Sequence, residues 1–371
     1  MQLDAPSENL SWIMLTDRLR SRIEASGPLT FAEFMEEALY DPEEGFYSRN
    51  SVGEQGEFVT SPHVSPLFGA LVAAQVEEFW ALLGRPNPFS IVELGAGDGT
   101  LASQILGNLP GHVLEAARYT AVERSSRGRE ALRGLGVTAV AGLDELESGS
   151  EGCVVANELF DNIPFHRLRG AANGPAELYV ALDGDRFVLV EGEVSSQRVE
   201  RLARRLSQGE EAAVSPGALD LLDRAAEVLA RGYVWLVDYG WEGGSVGAGT
   251  VHGYRGQRLV EDVLQDPGSL DITVGVDFGA LAAHARERGW SVWGPVTQRD
   301  ALLALGFRDQ DERARHKQVE ALDTHRGIDA ARIYSERNRA SLLLKEGGLG
   351  DFLVLCLGLG VERPPMSVTT T

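Results

Sequence analysis

Phe89-Ser90-Ile91-Val92-Glu93-Leu94-Gly95-Ala96-Gly97-Asp98-Gly99-Thr100 is the stretch that decides how this chain is read. Phe89 to Leu94 is short, apolar and partly β-branched, the pattern of a buried parallel strand. Gly95, Gly97 and Gly99 remove side chains where that strand turns into a helix predicted to begin near Thr100. Glycines so closely spaced permit backbone angles that other residues resist, and they let a ligand lie directly on the backbone. The helix N-terminus behind them offers free N–H groups and a partial positive charge, which suits a carboxylate or a phosphate.

The dinucleotide fingerprint G-x-G-x-x-G would place its third glycine at position 100, which is Thr100, so a nicotinamide oxidoreductase is the least favoured class. The pattern is G-x-G-x-G with Glu93 two positions before the first glycine, the form that class I S-adenosylmethionine (SAM) methyltransferases typically carry. A second requirement is an acidic residue ending the next strand, where it accepts hydrogen bonds from both ribose hydroxyls. Tyr119-Thr-Ala-Val-Glu123 supplies it, one helix and one return strand further on. The expected ligand is a nucleoside, with SAM as the cofactor. No metal is called for.

The chain has 371 residues, of which 43% are hydrophobic, enough core for one large domain or two. No apolar run is long enough for a transmembrane helix. The opening Met1-Gln-Leu-Asp-Ala-Pro-Ser-Glu8 is acidic, without the basic and apolar regions of a signal peptide. The two cysteines, Cys153 and Cys356, sit in apolar runs and are expected to be buried free thiols. A cytoplasmic location is expected on these grounds. The formal charge of −21 repels nucleic acid and anionic lipid. It either attracts a basic protein or peptide or serves solubility alone.

Residues 8 to 26 read as an amphipathic helix, with Leu10, Ile13, Leu15, Leu19 and Ile23 roughly on one face. Thr30 and Glu33 form a capping-box opening for a second helix to about Leu39. Asp41 to Gly45 is turn chemistry. A polar loop (50–57) precedes a helix from Pro66 to about Leu82. Strands are predicted at 89–94, 118–123, 137–141 and 152–157, with helices or turns between, the rhythm of an α/β fold. Glu177 to Val194 reads as a hairpin turning at Asp183-Gly-Asp185, and 197–229 as helical. The parallel pattern resumes at Tyr233 to Asp238. A long Gly-rich loop (240–256) follows, then a helix capped by Asp277, a strand at 290–293, a helical stretch (297–346) and a last strand (351–359). The predicted fold is a doubly wound, Rossmann-like sheet of the class I methyltransferase kind. Residues 1–88 would be a helical N-terminal cap contributing to the site, 89–164 and 230–371 the catalytic core, and 165–229 an α+β insertion.

Ala156-Asn157-Glu158-Leu159-Phe160-Asp161 ends the fourth strand, where Asn157, Glu158 and Asp161 would project beside the switch in strand order. Asn157 and Asp161 are equally suited to capping the following turn. Asp238 ends the next strand and could face the same cleft. Methyl transfer needs a nucleophile aligned behind the methyl group and relieved of a proton. An arginine substrate stays cationic, and Glu158 with Asp161 or Asp238 could clamp it in fork geometry. A hydroxyl or carboxylate substrate would want a base, for which His63 is the first candidate, ahead of His166 and His252.

Gly27-Pro-Leu-Thr-Phe-Ala-Glu-Phe-Met35, Gly56-Glu-Phe-Val-Thr-Ser-Pro-His-Val-Ser-Pro-Leu-Phe-Gly69, Glu93 to Ala102, Ala156 to Asp161, Asp238-Tyr-Gly240, Pro267 to Thr273 and Leu302 to Gly306 together resemble the MidA-like SAM-dependent methyltransferases. That family includes the mitochondrial arginine methyltransferase that assists assembly of respiratory complex I. The resemblance runs from about residue 15 to the end. It implies that Thr60, Ser61 and Pro62 cover the cofactor and that Glu93, Gly95, Ala96, Gly97, Glu123 and Arg124 hold it. Asn157 and Glu158 would lie beside the methyl group. Ala96 and Asp98 stand where the family usually has Pro and Arg, His63 where it often has Glu, and Gly275 where a polar residue is common.

Three readings follow. The first is a SAM-dependent methyltransferase acting on arginine in a protein, such as a subunit of a respiratory NADH dehydrogenase. The second is a small-molecule O- or N-methyltransferase. The third is a non-catalytic assembly chaperone on a methyltransferase fold, against which the Gly95, Gly97 and Glu123 set argues.

Overall fold

The computed structural model describes residues 8–49, 60–203, 206–243, 250–256 and 258–369. The chain divides into two units, one of residues 1–51, 160–221 and 243–276, the other of 52–159, 222–242 and 277–371. This division runs differently from the expected three-part plan, because 1–88 is shared between the units and 243–276 groups with the first.

The second unit contains the stretch from Phe89. Its strands are β1 (Phe89–Leu94), β2 (Ala117–Val122), β3 (Thr138–Val140), β4 (Ser150–Asn157), β5 (Leu229–Asp238), β6 (Ser291–Thr297) and β7 (Leu353–Leu359). Across the sheet they lie in the order β6-β7-β5-β4-β1-β2-β3. β5, β4, β1, β2 and β3 are mutually parallel, and β7 runs antiparallel to both β5 and β6. β1 to β3 step outward in one direction and β4 to β5 in the other, so the order reverses between β1 and β4. In an open parallel sheet that reversal leaves a crevice beyond the carboxyl ends of the two strands.

Helices α1 (Ser61–Val64), α2 (Pro66–Leu82), α3 (Thr100–Asn108) and α4 (Ser126–Gly134) belong to this unit. α2 buries Phe68, Leu71, Val72, Val76 and Phe79 in a core with Phe89, Ile91, Val155, Tyr233 and Trp235 of the strands. The Phe79 ring stacks on Tyr233 with centroids 4.5 Å apart. Cys153 and Cys356 are free and wholly buried in the same core, and burial pushes both thiols up, away from the reactive thiolate. A smaller cluster of Ala96, Ala102, Ala121, Leu132, Val137 and Ala139 sits under the turn from β1 to α3. Its small side chains let that turn lie close to the sheet.

In the first unit, helices Glu8–Ser26 and Phe31–Tyr40 accompany an antiparallel sheet in the order Leu29–Thr30, Gly174–Asp183, His166–Ala171, Glu211–Val214, with Arg186–Gly192 also paired to Gly174–Asp183. Leu15, Leu19 and Ile23 are buried, as one face of an amphipathic helix should be. The side chains of Leu10 and Ile13 lie outside the described ones, as does the loop at 50–57. Phe31 packs on Phe165 (centroids 5.2 Å) and Phe34 on Phe187 (5.6 Å), joining helix to sheet.

Two expectations are corrected here. The stretch 197–229 is not helical throughout, since Glu211–Val214 is a strand paired with His166–Arg169. Glu211 accepts from Arg167 Nη2 at 2.9 Å and Arg169 Nε at 3.2 Å across that pairing, partners too distant in sequence for a local pattern to reveal. Within the expected Gly-rich loop, His252–Arg255 is the middle strand of a three-stranded sheet with Arg258–Val260 and Asp271–Thr273; residues 244–249 lie outside the described set. The hairpin from Gly174 to Gly192 turns at Asp183, as its sequence predicts.

The capping box at Thr30 is formed. Its Oγ1 accepts from Glu33 N at 3.1 Å, and Glu33 Oε2 accepts from Thr30 N at 2.9 Å. Thr30→Ala should therefore lower stability by about 1 kcal/mol. Urea denaturation of the two proteins checks this, and coincident curves would show that the cap contributes nothing.

Candidate active site

The crevice is built from the end of β1 outward. Gly95, Gly97 and Gly99 have φ of +67°, +56° and +84°, the left-handed region that side-chain-bearing residues avoid. A Cβ at Gly95 would stand 2.8 Å from Leu159 Cδ1, and one at Gly99 2.8 Å from Leu135 Cδ1. Gly95 N donates to Val122 O of β2 at 2.9 Å, which seats the loop on the sheet. Asp98 Oδ1 accepts from Thr100 N at 3.0 Å, satisfying one free donor at the start of α3.

Glu123 follows β2. Its Oε2 accepts from Gly97 N at 2.8 Å and its Oε1 from Ser125 N at 2.7 Å. Burial pushes its carboxyl up, and the Ser125 and Gly97 amides and the Arg129 and Arg124 charges only partly offset this. The two amides take one acceptor position on each oxygen, and a carboxylate has about four in all. Arg124 itself is exposed, and its carbonyl accepts from Arg129 Nη1 at 2.6 Å. Ala96 is buried in the small-residue cluster.

Glu93 is almost wholly buried and accepts from the Tyr119 hydroxyl at 2.6 Å. Burial, reinforced by Glu123 and Asp98, pushes its carboxyl up to about 8 against the opposing Tyr119 hydrogen bond. Tyr119 was not singled out in the sequence, although its place on β2 directly opposite Ile91 puts it on the same face as Glu93.

At the end of β4, Glu158 has φ +52°, a costly conformation for a non-glycine residue. The surroundings enforce it. Glu158 N donates to Val237 O at 2.8 Å, and the next amide, Leu159 N, donates to Asp238 Oδ2 at 3.1 Å. Glu158 Oε1 accepts from Ser61 N at 2.7 Å and from Asn157 Nδ2 at 3.1 Å. Burial pushes this carboxyl up, partly countered by Ser61, Asn157 and His63. Asn157 Oδ1 is buried with no hydrogen-bond partner among the described residues, an orphaned acceptor at the crevice.

α1 carries the residues expected to cover the cofactor. Ser61 N is on Glu158, Pro62 O accepts from Gln104 Nε2 at 2.9 Å, and Ser61 Oγ lies 3.3 Å from Gln298 Oε1. His63 is engaged at both ring nitrogens, Nδ1 with Thr60 Oγ1 at 2.7 Å and Nε2 with Asp98 Oδ2 at 3.1 Å. Positions 63 and 98, which both depart from the usual family residues, are thus partners. Gln104 and Gln298 carried no sequence signal, because their roles depend on chain segments far away.

Glu158, Asn157, His63, Thr60, Ser61, Glu93 and Glu123 all lie in the second unit. Asp161 lies in the first, where Oδ2 accepts from Thr273 Oγ1 at 2.7 Å in a buried polar group with Asn162, Asp271 and Tyr47. Both oxygens of Asp238 accept backbone N–H groups, from Leu159 and Tyr239. His166 is paired with buried Glu177 at 2.6 Å, and the His252 ring lies 6.2 Å from Tyr254.

The model of a family described as S-adenosyl-L-methionine-dependent methyltransferases matches residues 71–296. A Drosophila melanogaster homolog of the mitochondrial protein arginine methyltransferase NDUFAF7 is 31% identical over 76% of this chain and 73% of its own. The Xenopus laevis protein arginine methyltransferase NDUFAF7, also mitochondrial, is 29% identical over 82% and 77%. The mitochondrial location in these names lends no support to the cytoplasmic expectation. A COG1565 superfamily member from Burkholderia thailandensis, solved with S-adenosyl-homocysteine bound, superposes with a TM-score of 0.83 at 26% identity, covering 99% of this chain and 97% of that one.

The residues in the crevice fit SAM as cofactor. Glu123 has acceptor positions left for a ribose diol, the glycine loop presents backbone without side chains, and the orphaned Asn157 Oδ1 needs a donor. The buried, uncharged-leaning Glu93 yields a stability prediction. Its carboxyl in the folded state lies near 8, against an ordinary value of 4.5, so folding favours the protonated form. That stabilisation is complete below the ordinary value and is lost as pH rises through about 8. Glu93→Gln, which mimics the protonated form, should flatten this decline. Urea midpoints of both proteins at several pH values in that window are the check, and equal slopes would count against a buried acid here.

Proposed function

Since the chain belongs to this family of SAM-dependent methyltransferases, we propose that it methylates an arginine side chain of a protein. The observation that carries the reading is Glu158, a carboxyl recessed beyond the switch-point strand and held in a left-handed backbone conformation by its neighbours. The hydrogen bonds it makes among the described residues fall on Oε1, which leaves Oε2 for a guanidinium N–H. A carboxylate bonded to a guanidinium fixes its plane and draws positive charge away from the nitrogen that reacts. The arginine named as the substrate residue of the relatives supports this choice. The MidA-like resemblance makes a subunit of a respiratory NADH dehydrogenase the first protein to test.

SAM supplies a methyl group on a positively charged sulfur. Glu123 would receive the ribose hydroxyls, and the Gly95–Gly97 backbone would lie against the nucleoside. Asn157 would accept from a donor next to the reacting centre, while Ser61, through its amide on Glu158, holds the carboxylate in place. The hydroxyl-directed alternative needs a free base. The His63 ring spends Nε2 on Asp98 and Nδ1 on the Thr60 hydroxyl. With neither nitrogen available, His63 does not support that reading.

Incubation with labelled SAM and cell extract, followed by mass spectrometry of the labelled product, tests the proposal; label on a small molecule, or on a protein residue other than arginine, would overturn it. Within the enzyme, Glu123→Ala should weaken SAM at least about tenfold, or ~1.4 kcal/mol, by removing a charged acceptor of two hydroxyls. Calorimetry reads this directly. Glu158→Gln preserves shape but removes charge, so SAM affinity should hold while turnover falls roughly a hundredfold. Full turnover in that variant would remove Glu158 from the mechanism.

A further inference from the structure

We infer that His63 is a positioning residue that couples the cofactor loop to the carboxylate of Glu158, with the four-residue helix α1 as the connecting piece. The inference rests on the SAM-site reading. A helix this short has too few internal hydrogen bonds to hold itself in place, so its position is set by its ties to other elements. Those ties are Pro62 O to Gln104 on α3, Ser61 Oγ to Gln298, Ser61 N to Glu158, and the His63 ring to Asp98. Of these, the His63 tie reaches the glycine loop itself.

The chemistry of that tie is directional. Asp98 is held below the usual carboxylate range. Burial pushes it up, but the His63 hydrogen bond and the Thr100 amide and hydroxyl outweigh this. An ionised carboxylate only accepts, so His63 Nε2 donates to it, while Nδ1 is engaged by the Thr60 hydroxyl. The His63 side chain is only 7% exposed and that of Asp98 34%, so water is kept from the histidine end of the bond. The ring therefore spans from Asp98, one residue past Gly97, to Thr60, one residue before the amide that holds Glu158. A shift of the glycine loop on cofactor binding is passed to Ser61 N and so to Glu158. His63 has no free nitrogen for substrate and acts through Glu158.

The two ring nitrogens can be separated by substitution. His63→Gln carries a donor near the Nε2 position and keeps the Asp98 bond. His63→Asn carries an acceptor near the Nδ1 position and keeps only Thr60. Amide hydrogen exchange of residues 61–64, with and without S-adenosylhomocysteine, reads the coupling independently of turnover. In the unsubstituted protein the ligand should slow exchange at 61–64. In His63→Asn the ligand should still bind by calorimetry, exchange at 61–64 should no longer respond, and kcat should fall about tenfold with KM for SAM unchanged. His63→Gln should restore both the response and kcat. Protection at 61–64 that persists in His63→Asn would mean the ligand orders α1 without His63, and overturns the inference. So would equal failure of both variants, which marks a role in scaffold alone. Absence of ligand binding by the unsubstituted protein overturns the cofactor reading itself, and is recognised in the calorimetry before any variant is made.

Discussion

The second unit depends on one backbone constraint, the passage from β1 to α3 through three left-handed residues at positions 95, 97 and 99. Glycine alone makes this passage without strain. It turns the backbone so that Gly97 N meets Glu123 and Asp98 meets both the α3 start and His63. The loop therefore fixes the end of β2, the first turn of α3 and α1 at once. Any side chain at Gly95 would push against Leu159 beyond β4, and one at Gly99 against Leu132 and Leu135 at the end of α4.

Around this loop the unit keeps three carboxyls, Glu93, Glu123 and Glu158, each pushed up by burial. Desolvation makes each an unfavourable anion, and each is stabilised by amide, hydroxyl or side-chain donors more than by opposite charges. A cluster of this kind is poised for a cationic guest, whose arrival favours the ionised forms. SAM carries a positive sulfur and arginine a positive guanidinium, so the electrostatics of the crevice suit both the cofactor of the family and the proposed substrate.

The left-handed Glu158 is the second exception to ordinary backbone preference in this unit that bears on the site. Unlike the glycines, it gains nothing in conformational ease from its side chain. Its position is imposed by Val237 O below and by Asp238, whose carboxylate holds the Leu159 amide. Asp238 thus has a structural task at the exit of β5. Strain maintained at a strand end by several independent hydrogen bonds is a common mark of a residue kept for its function.

The sequence by itself determined the parallel strand at Phe89, the glycine turn, the acidic end of the next strand and the alternation that makes a doubly wound sheet. These are local patterns. Short apolar runs, glycine punctuation and a capping box act through neighbouring residues, so they can be read without knowing where the rest of the chain goes. Strand Glu211–Val214 was not legible, because it forms by pairing with His166–Arg169, a strand about forty residues away in sequence. Nor were the joining of Tyr119 to Glu93, of Gln104 to Pro62 and of Gln298 to Ser61, or the commitment of both His63 nitrogens. A histidine in a sequence is an open acid or base. Whether it has a nitrogen to offer is decided only when folding brings the Asp98 carboxylate from another segment to Nε2 and the local turn sets the Thr60 hydroxyl on Nδ1, because hydrogen bonds depend on distance in space and not on separation along the chain.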